Sequence, residues 1–324
     1  MKKIALLYMG GTFGCIGEPL SPMPEDKFLP YLKKILPKNK NIDCFTAPSV
    51  KDSSAYTAVD WFLLIQQIQH LQIQNYQHFI VIHGTDTLSY AAATLARFLT
   101  NSCHVIVTGS QYPLLNTTGQ DIRDFTDALD NLSTAIDHIN KVPAGVYIAF
   151  HHQVLHASTT LKVHSTALRA FYGTNHDEQN QTTQLLPFEI KNEHIHQIES
   201  LNLLNITVQP ISQQQFNLQL ENILKHPPHV LIIQAYGTGN LAVNECMVTQ
   251  FKLLQEQGCR VILDSQVAFG KLDQRYAISQ WIHQSNLLVS DAQSHADLYA
   301  KILKMYLQYP SAHQWYDHWY DHSE

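Results

Sequence analysis

The sequence predicts an α/β protein: a larger N-terminal domain built on a doubly wound, mostly parallel sheet, followed by a smaller C-terminal α/β domain. Three observations point this way. Short β-rich apolar runs alternate with longer amphipathic stretches, the rhythm of βαβ units. The runs are continuously apolar, as strands covered on both faces are, rather than alternating. A length of 324 residues exceeds one small domain and suits two cores of ordinary size.

In chain order, the run at 4–9 reads as a first strand that ends in Gly10-Gly11-Thr12. An amphipathic helix follows at 59–73. A strand at 79–82 ends in His83-Gly84-Thr85-Asp86-Thr87 and leads into a helix at 88–99. Next come a strand at 105–108 ending in Gly109-Ser110-Gln111, a helix over 122–139 and a strand at 145–150. From 177 to about 200 the composition turns to Gln, Asn and Glu without periodicity, which predicts a connection over the surface. The domains are therefore placed at 1–190 and 206–324, with 191–205 as linker. The second pattern reads as strand 206–211, helix 213–224, strand 230–235 with the turn Tyr236-Gly237-Thr238-Gly239-Asn240, helix 245–257, strand 261–264 and a last helix near 295–307. Ligands of doubly wound sheets bind beyond the carboxyl ends of the strands, so the three polar turns of the first domain should converge on one site.

Composition narrows the function. Apolar residues at 45%, charged residues at 15% and a net charge of -6 are globular values that give no footing for a phosphate backbone, so no nucleic-acid partner is expected. The apolar run after Met1-Lys2-Lys3 is too short to span a membrane and leads into glycines rather than a cleavage site. That predicts a cytoplasmic protein with no membrane association. The five cysteines are odd in number and lack any CxxC spacing, which predicts reduced thiols and neither a disulfide framework nor a zinc site. Cys15, three residues after Thr12, reads as packing rather than as a nucleophile. Among nineteen histidines, His151, His152, His156 and His164 lack the i, i+4 pairing and nearby Glu of a metal site, so no metal is expected. His318 and His322 fall one turn apart on a surface helix at the C-terminus.

The glycines of Gly10-Gly11-Thr12 let backbone and substrate approach closely. A threonine hydroxyl there becomes a nucleophile once a neighbour takes its proton. The same turn would also cradle a phosphate, although Gly10-Gly11-Thr12-Phe13-Gly14 is not GxGxxG and lacks a Walker lysine; spacing alone leaves both readings open. The turn Thr85-Asp86-Thr87 sets a hydroxyl, a carboxylate and a second hydroxyl at the same sheet edge. Asp and Thr are also favoured helix N-caps, each worth ~1 kcal/mol. A carboxylate in this place would orient a lysine or hold an ammonium, and a desolvated lysine lowers its pKa enough to act as a base. Spacing does not single out which lysine.

The motifs Met9-Gly10-Gly11-Thr12-Phe13-Gly14, His83-Gly84-Thr85-Asp86-Thr87-Leu88, Val107-Thr108-Gly109-Ser110-Gln111 and Ala235-Tyr236-Gly237-Thr238-Gly239-Asn240 run in order over nearly the whole chain. In order and spacing they resemble the bacterial asparaginase family. The Gly109-Ser110-Gln111 form and the missing export signal resemble its cytoplasmic type I branch. The resemblance implies hydrolysis of L-asparagine to L-aspartate and ammonia through an acyl-enzyme, without metal or cofactor. It also implies minor glutaminase activity, because one methylene is worth only ~1–3 kcal/mol of discrimination. Matched position by position, Thr12 is the nucleophilic threonine and Thr85 the second threonine. Asp86 and Lys162, the latter in Thr160-Leu161-Lys162-Val163-His164, complete the Thr-Asp-Lys set. Asp52-Ser53-Ser54-Ala55-Tyr56-Thr57 resembles the substrate-binding stretch. It sets Ser53 and Ser54 on the α-carboxylate and its neighbouring groups, with Asp86 on the α-ammonium and Gly11, Gly84 and Ser110 beside the substrate. The family's site is completed by a neighbouring subunit, which implies a homodimer or homotetramer with Asn240 as a cross-subunit contact.

Several positions depart from the family pattern. Many relatives carry a tyrosine on the mobile loop after the first threonine; residues 15–25 contain none, and Leu20 falls near that place, so activation of Thr12 should differ. The usual Ser-Asp-Gly and Asn after the third motif read Thr118-Gly119-Gln120-Asp121 and Asp124. Leu161 stands where threonine is usual, and the C-terminal acidic segment is Ser294-His295-Ala296-Asp297. The arginine and cysteine of the type I effector site fall on Gln234 and Val267, which implies weak or absent allostery. Amidotransferase subunits that share the motifs carry an extra N-terminal region, whereas only eleven residues precede Thr12 here.

Overall fold

The computed structural model describes residues 2–178, 186–270, 272–273 and 280–321. His322 and residues 179–185 of the polar connection lie outside the described residues.

A six-stranded sheet runs in the order Ile42–Lys51, Ile4–Gly10, His78–Ile82, His104–Thr108, Gly145–Phe150 and Gln153–His156. All neighbours pair in parallel except the last strand, which turns back antiparallel on Gly145–Phe150. Every residue of Ile4–Gly10 is buried. Ala5, Leu7 and Met9 pack with the helices Ala58–Ile73 and Leu88–Leu99, while Ile4, Leu6 and Tyr8 pack with Glu25–Ile35 and Ala128–His138. Burial on both faces is why the strand reads as an unbroken apolar run.

A second sheet of four parallel strands follows, ordered Leu203–Thr207, Val230–Ala235, Arg260–Ser265 and Leu288–Val289. Phe216, Leu220, Met247 and Phe251 of the helices Gln213–Lys225 and Glu245–Glu256 cover one face. Leu298, Ile302, Trp315 and Trp319 cover the other, carried mainly by the helices His295–Gln308 and Ala312–His318. No helix among the described residues is long and apolar enough to cross a membrane.

Three expectations need correction, and three elements were not anticipated. The helix predicted over 122–139 begins only at Ala128 and ends at His138. Ile122 and Phe125 are 44% and 57% exposed, so their apolar spacing does not mark a core-facing stripe. The strand predicted at 206–211 lies at Leu203–Thr207, ahead of Pro210, which has no N–H for a ladder. The polar stretch read as an irregular connection holds a helix, Asn192–Glu199, whose buried Ile198 joins the core beside Ala58–Ile73. The helix Glu25–Ile35 and the strands Ile42–Lys51 and Gln153–His156 were not anticipated. Pro30 interrupts the helical pattern of the first, and the second is an edge strand with only one fully buried residue.

Candidate active site

Register brings the motif turns together. Tyr8 pairs with Ile82, Ile82 with Thr108, and Gly10 with Lys51. The turns that follow four strands therefore leave one edge of the sheet side by side. The chain passes from Ile4–Gly10 outward to Ile42–Lys51, then returns across to His78–Ile82 and continues the other way. The carboxyl ends of Ile4–Gly10 and His78–Ile82 thus flank a topological switch point, where doubly wound sheets form their crevice.

Close approach of the turns depends on glycine. Gly11 has φ +77, and a Cβ added there would sit 2.3 Å from the Gly84 Cα; one added to Gly84 would sit 2.6 Å from the Ser53 Oγ. Gly11 and Gly84 meet backbone to backbone with no room for a side chain between them, and the Ser53 side chain packs directly on Gly84. Thr87 Oγ1 donates to the Ser53 carbonyl at 2.8 Å, and the Asp86 N–H donates to Ser53 Oγ at 3.3 Å. Half-buried Thr12 follows Gly11 directly and opens a short 3₁₀ turn, Thr12–Gly14. A small hairpin of Cys15–Ile16 and Ser21–Pro22 comes next, and the Gly17 N–H ties it to the Thr117 carbonyl at 3.1 Å. The tyrosine-free loop is thus hydrogen-bonded to the segment around Thr117.

Lys162 arrives from the short strand Leu161–Lys162. Its Nζ donates to Thr85 Oγ1 at 2.9 Å and to Asp86 Oδ1 at 2.8 Å. Lys162 is mostly buried, whereas the Asp86 side chain is 61% exposed. One carboxylate oxygen is held by Lys162 while the group stays open to solvent. Thr85 Oγ1 in turn donates to Gln111 Oε1 at 3.4 Å, and Gln111 Nε2 donates to the carbonyls of Ser165 and Ala167. Gln111 therefore connects the second turn to the chain just beyond Lys162.

Sequence reasoning missed several supports. Gln111 stood inside a quoted motif but was not singled out. Asp127 accepts the N–H groups of Gln111 and Tyr112 at 2.9 Å each and Nδ2 of Asn131 at 3.0 Å; an Asp ahead of a helix looks in sequence like any N-cap. Fully buried His83 accepts from Trp61 Nε1 at 3.2 Å through Nε2 and donates through Nδ1 to the Gly84 carbonyl at 2.8 Å. Burial lowers its pKa to about 4, so a neutral ring braces the backbone at Gly84. Tyr56, beneath the same turns, donates its hydroxyl to the Met9 carbonyl.

The remaining candidates divide. Ser53 is buried at the meeting of the turns, and Ser110 Oγ is buried with no hydrogen-bond partner among the described residues. Ser54 is exposed and gives both its N–H and its hydroxyl to Asp52. Asn240 lies after the second sheet's Val230–Ala235, where its N–H donates to the Tyr236 carbonyl at 2.8 Å and its Nδ2 to Thr238 Oγ1 at 3.4 Å. Its bonds stay within its own turn.

L-asparaginase 1 of Escherichia coli (strain K12) is 27% identical over 295 residues, covering 84% of this chain and 82% of that protein. An L-asparaginase of Thermococcus kodakarensis is 30% identical over 128 residues, 39% of this chain and 37% of that one. Among solved structures, L-asparaginase I from Vibrio cholerae superposes with a TM-score of 0.75 at 23% identity, over 97% of this chain and 95% of that one. The thermostable L-asparaginase from Thermococcus kodakarensis superposes with a TM-score of 0.77 at 19% identity, over 97% and 96%. These likenesses fix the fold as α/β. Residues 3–203, more than half of the chain, match the family described as Asparaginase, N-terminal, and the chain belongs to the asparaginase family as an enzyme of that type.

Proposed function

We propose that the protein hydrolyses the side-chain amide of L-asparagine, with Thr12 as nucleophile. The observation that supports this best is the Lys162–Thr85–Asp86 cluster, which stands on the same sheet edge as the turn carrying Thr12. Thr12 Oγ attacks the carboxamide carbon, and backbone N–H groups of the glycine turns stabilise the oxyanion. Proton transfers pass through Thr85 and Lys162, steered by Asp86; the C–N bond breaks and the nitrogen leaves as ammonia. Water then attacks the acyl-threonine, releasing L-aspartate and restoring the hydroxyl. The exposed Asp86 carboxylate holds the α-ammonium. Ser53, which keeps its own hydroxyl proton while accepting the Asp86 N–H, faces the α-carboxylate with Ser54, and Gly11, Gly84 and Ser110 line the rest. Minor glutaminase activity, a homodimer or homotetramer with Asn240 reaching the neighbouring site, and a cytoplasmic location complete the reading.

The test is ammonia release from L-asparagine and L-glutamine at neutral pH by wild-type protein and Thr12→Ala. Asparagine turnover that disappears in the variant is expected, and the ratio of the two amides sets the specificity. Folded wild-type protein that releases ammonia from neither amide would refute the proposal.

A further inference from the structure

The edge of the first sheet away from the crevice, where its parallel strands begin, has a charge opposite to the molecule's. An open cavity of about 650 Å³ there is lined by Lys3, Lys33, Lys38, Lys40, Asp43 and Tyr76. Its apolar lining comes from Leu36, Ile42 and Phe45. A second cavity of about 200 Å³ shares Lys40 and adds Lys2 with the amides of Asn39, Asn41 and Asn140. Five lysines thus line two cavities that share Lys40, in a chain whose net charge is -6.

Asp43 is the one carboxylate lining either cavity, and it is already engaged. It accepts the Tyr76 hydroxyl at 2.7 Å and lies 3.6 Å from Lys3, which also sits 3.9 Å from the Tyr76 ring centre. Among the described residues, no carboxylate lies within 4.0 Å of the ammonium groups of Lys2, Lys33, Lys38 or Lys40. Lys33 has a local reason to be where it is, the negative carboxyl end of the helix Glu25–Ile35. That reason does not extend to Lys2, Lys38 and Lys40. Like charges gathered at one concavity repel, and a multivalent anion relieves the repulsion while taking hydrogen bonds from the ammonium groups and asparagine amides. A run of linked phosphoryl groups offers the five lysines lining the two cavities more anionic oxygens than a single phosphate does. Phe45 and Tyr76, edge to face at 5.6 Å between ring centres, add an aromatic surface beside the lysines.

We infer that this paired basic cavity binds a small anion carrying two or three linked phosphates, either free as inorganic polyphosphate or as the tail of a nucleoside triphosphate. Calorimetric titration with sodium tripolyphosphate and with ATP, at about 50 mM and about 300 mM salt, tests it on wild-type protein and on Lys38→Glu/Lys40→Glu. Saturable binding is expected, weakened at least about tenfold both by the higher salt and by the double substitution. The double variant should keep its melting temperature and its asparagine turnover, because both lysines lie in the surface turn after Leu36, away from the crevice. ATP binding tighter than tripolyphosphate, with the advantage lost in Phe45→Ala, identifies the nucleotide; equal affinities identify the polyphosphate chain alone. No saturable binding of either at low salt, or binding undiminished in the double variant, overturns the inference. So does a single-stranded oligouridylate that binds more tightly than both, because the surface would then be a nucleic-acid patch rather than a small-anion site.

Discussion

Lys162 has two donor bonds in the crevice, one to a hydroxyl and one to a carboxylate. In the proposed relay its role depends on where a single ammonium stands, so charge alone would not replace it. Lys162→Met keeps most of the apolar stem and removes the donors; kcat for asparagine is expected to fall about 10²- to 10⁴-fold, the usual range for a lost proton-transfer group. Lys162→Arg should not rescue it, since a planar fork cannot put one donor between Thr85 and Asp86 as a compact ammonium does. Stopped assays of ammonia release on both variants measure this, and a methionine variant within about tenfold of wild type would remove Lys162 from the proton relay. In sequence this lysine was indistinguishable from a surface one and was found only through the family pattern. Thr12, Thr85 and Asp86 were different: each follows a run apolar enough to be a strand, so their place at a sheet edge could be read directly.

The segment from Gln111 to Asp127 shows where such reading stops. Its apolar residues Ile122 and Phe125 suggested an extension of the following helix, yet the chain there is irregular and both side chains are exposed. What organises it is polar. Asp127 gathers two backbone N–H groups from Gln111 and Tyr112, and Thr126 Oγ1 accepts the Ala128 N–H. Periodicity does not register a carboxylate that bonds residues some fifteen positions earlier; the edge strand Ile42–Lys51 escaped for a different reason, that only one of its residues is fully buried. Asp127→Ala would leave those donors without their acceptor, at a cost of about 1–3 kcal/mol. It should also loosen Gln111, whose side chain joins Thr85 to the backbone beyond Lys162. The expected result is a lower urea midpoint together with reduced kcat, whereas Asp127→Asn, which keeps one acceptor oxygen, should recover part of both. Wild-type stability and turnover in Asp127→Ala would mean that the loop is held by its other contacts.

The long helix His295–Gln308 shows how the two sheets are joined. It covers the second sheet through Leu298 and Ile302, yet Leu303 and Leu307 enter the core of the first. Its start is fixed to the first sheet's helix Leu88–Leu99 by a two-pronged ion pair, with Arg97 Nε and Nη2 on the two Asp297 oxygens at 2.7 and 2.8 Å. Ser294 Oγ adds a bond to the Ser158 carbonyl at 2.7 Å. Asp297 is 2% exposed, so losing its partner leaves a carboxylate in the interior with the Gln293 N–H as one remaining donor. Arg97→Met should therefore cost about 3 kcal/mol, while a hydrophobic pair of similar volume, Arg97→Met with Asp297→Leu, should cost clearly less than the two single changes summed. Urea denaturation of the four proteins closes the cycle. Additive losses would mean that the two charges act independently, and the coupling of the two sheets would then rest on Leu303 and Leu307; a coupled loss would make the ion pair part of what holds the last helix against both cores at once.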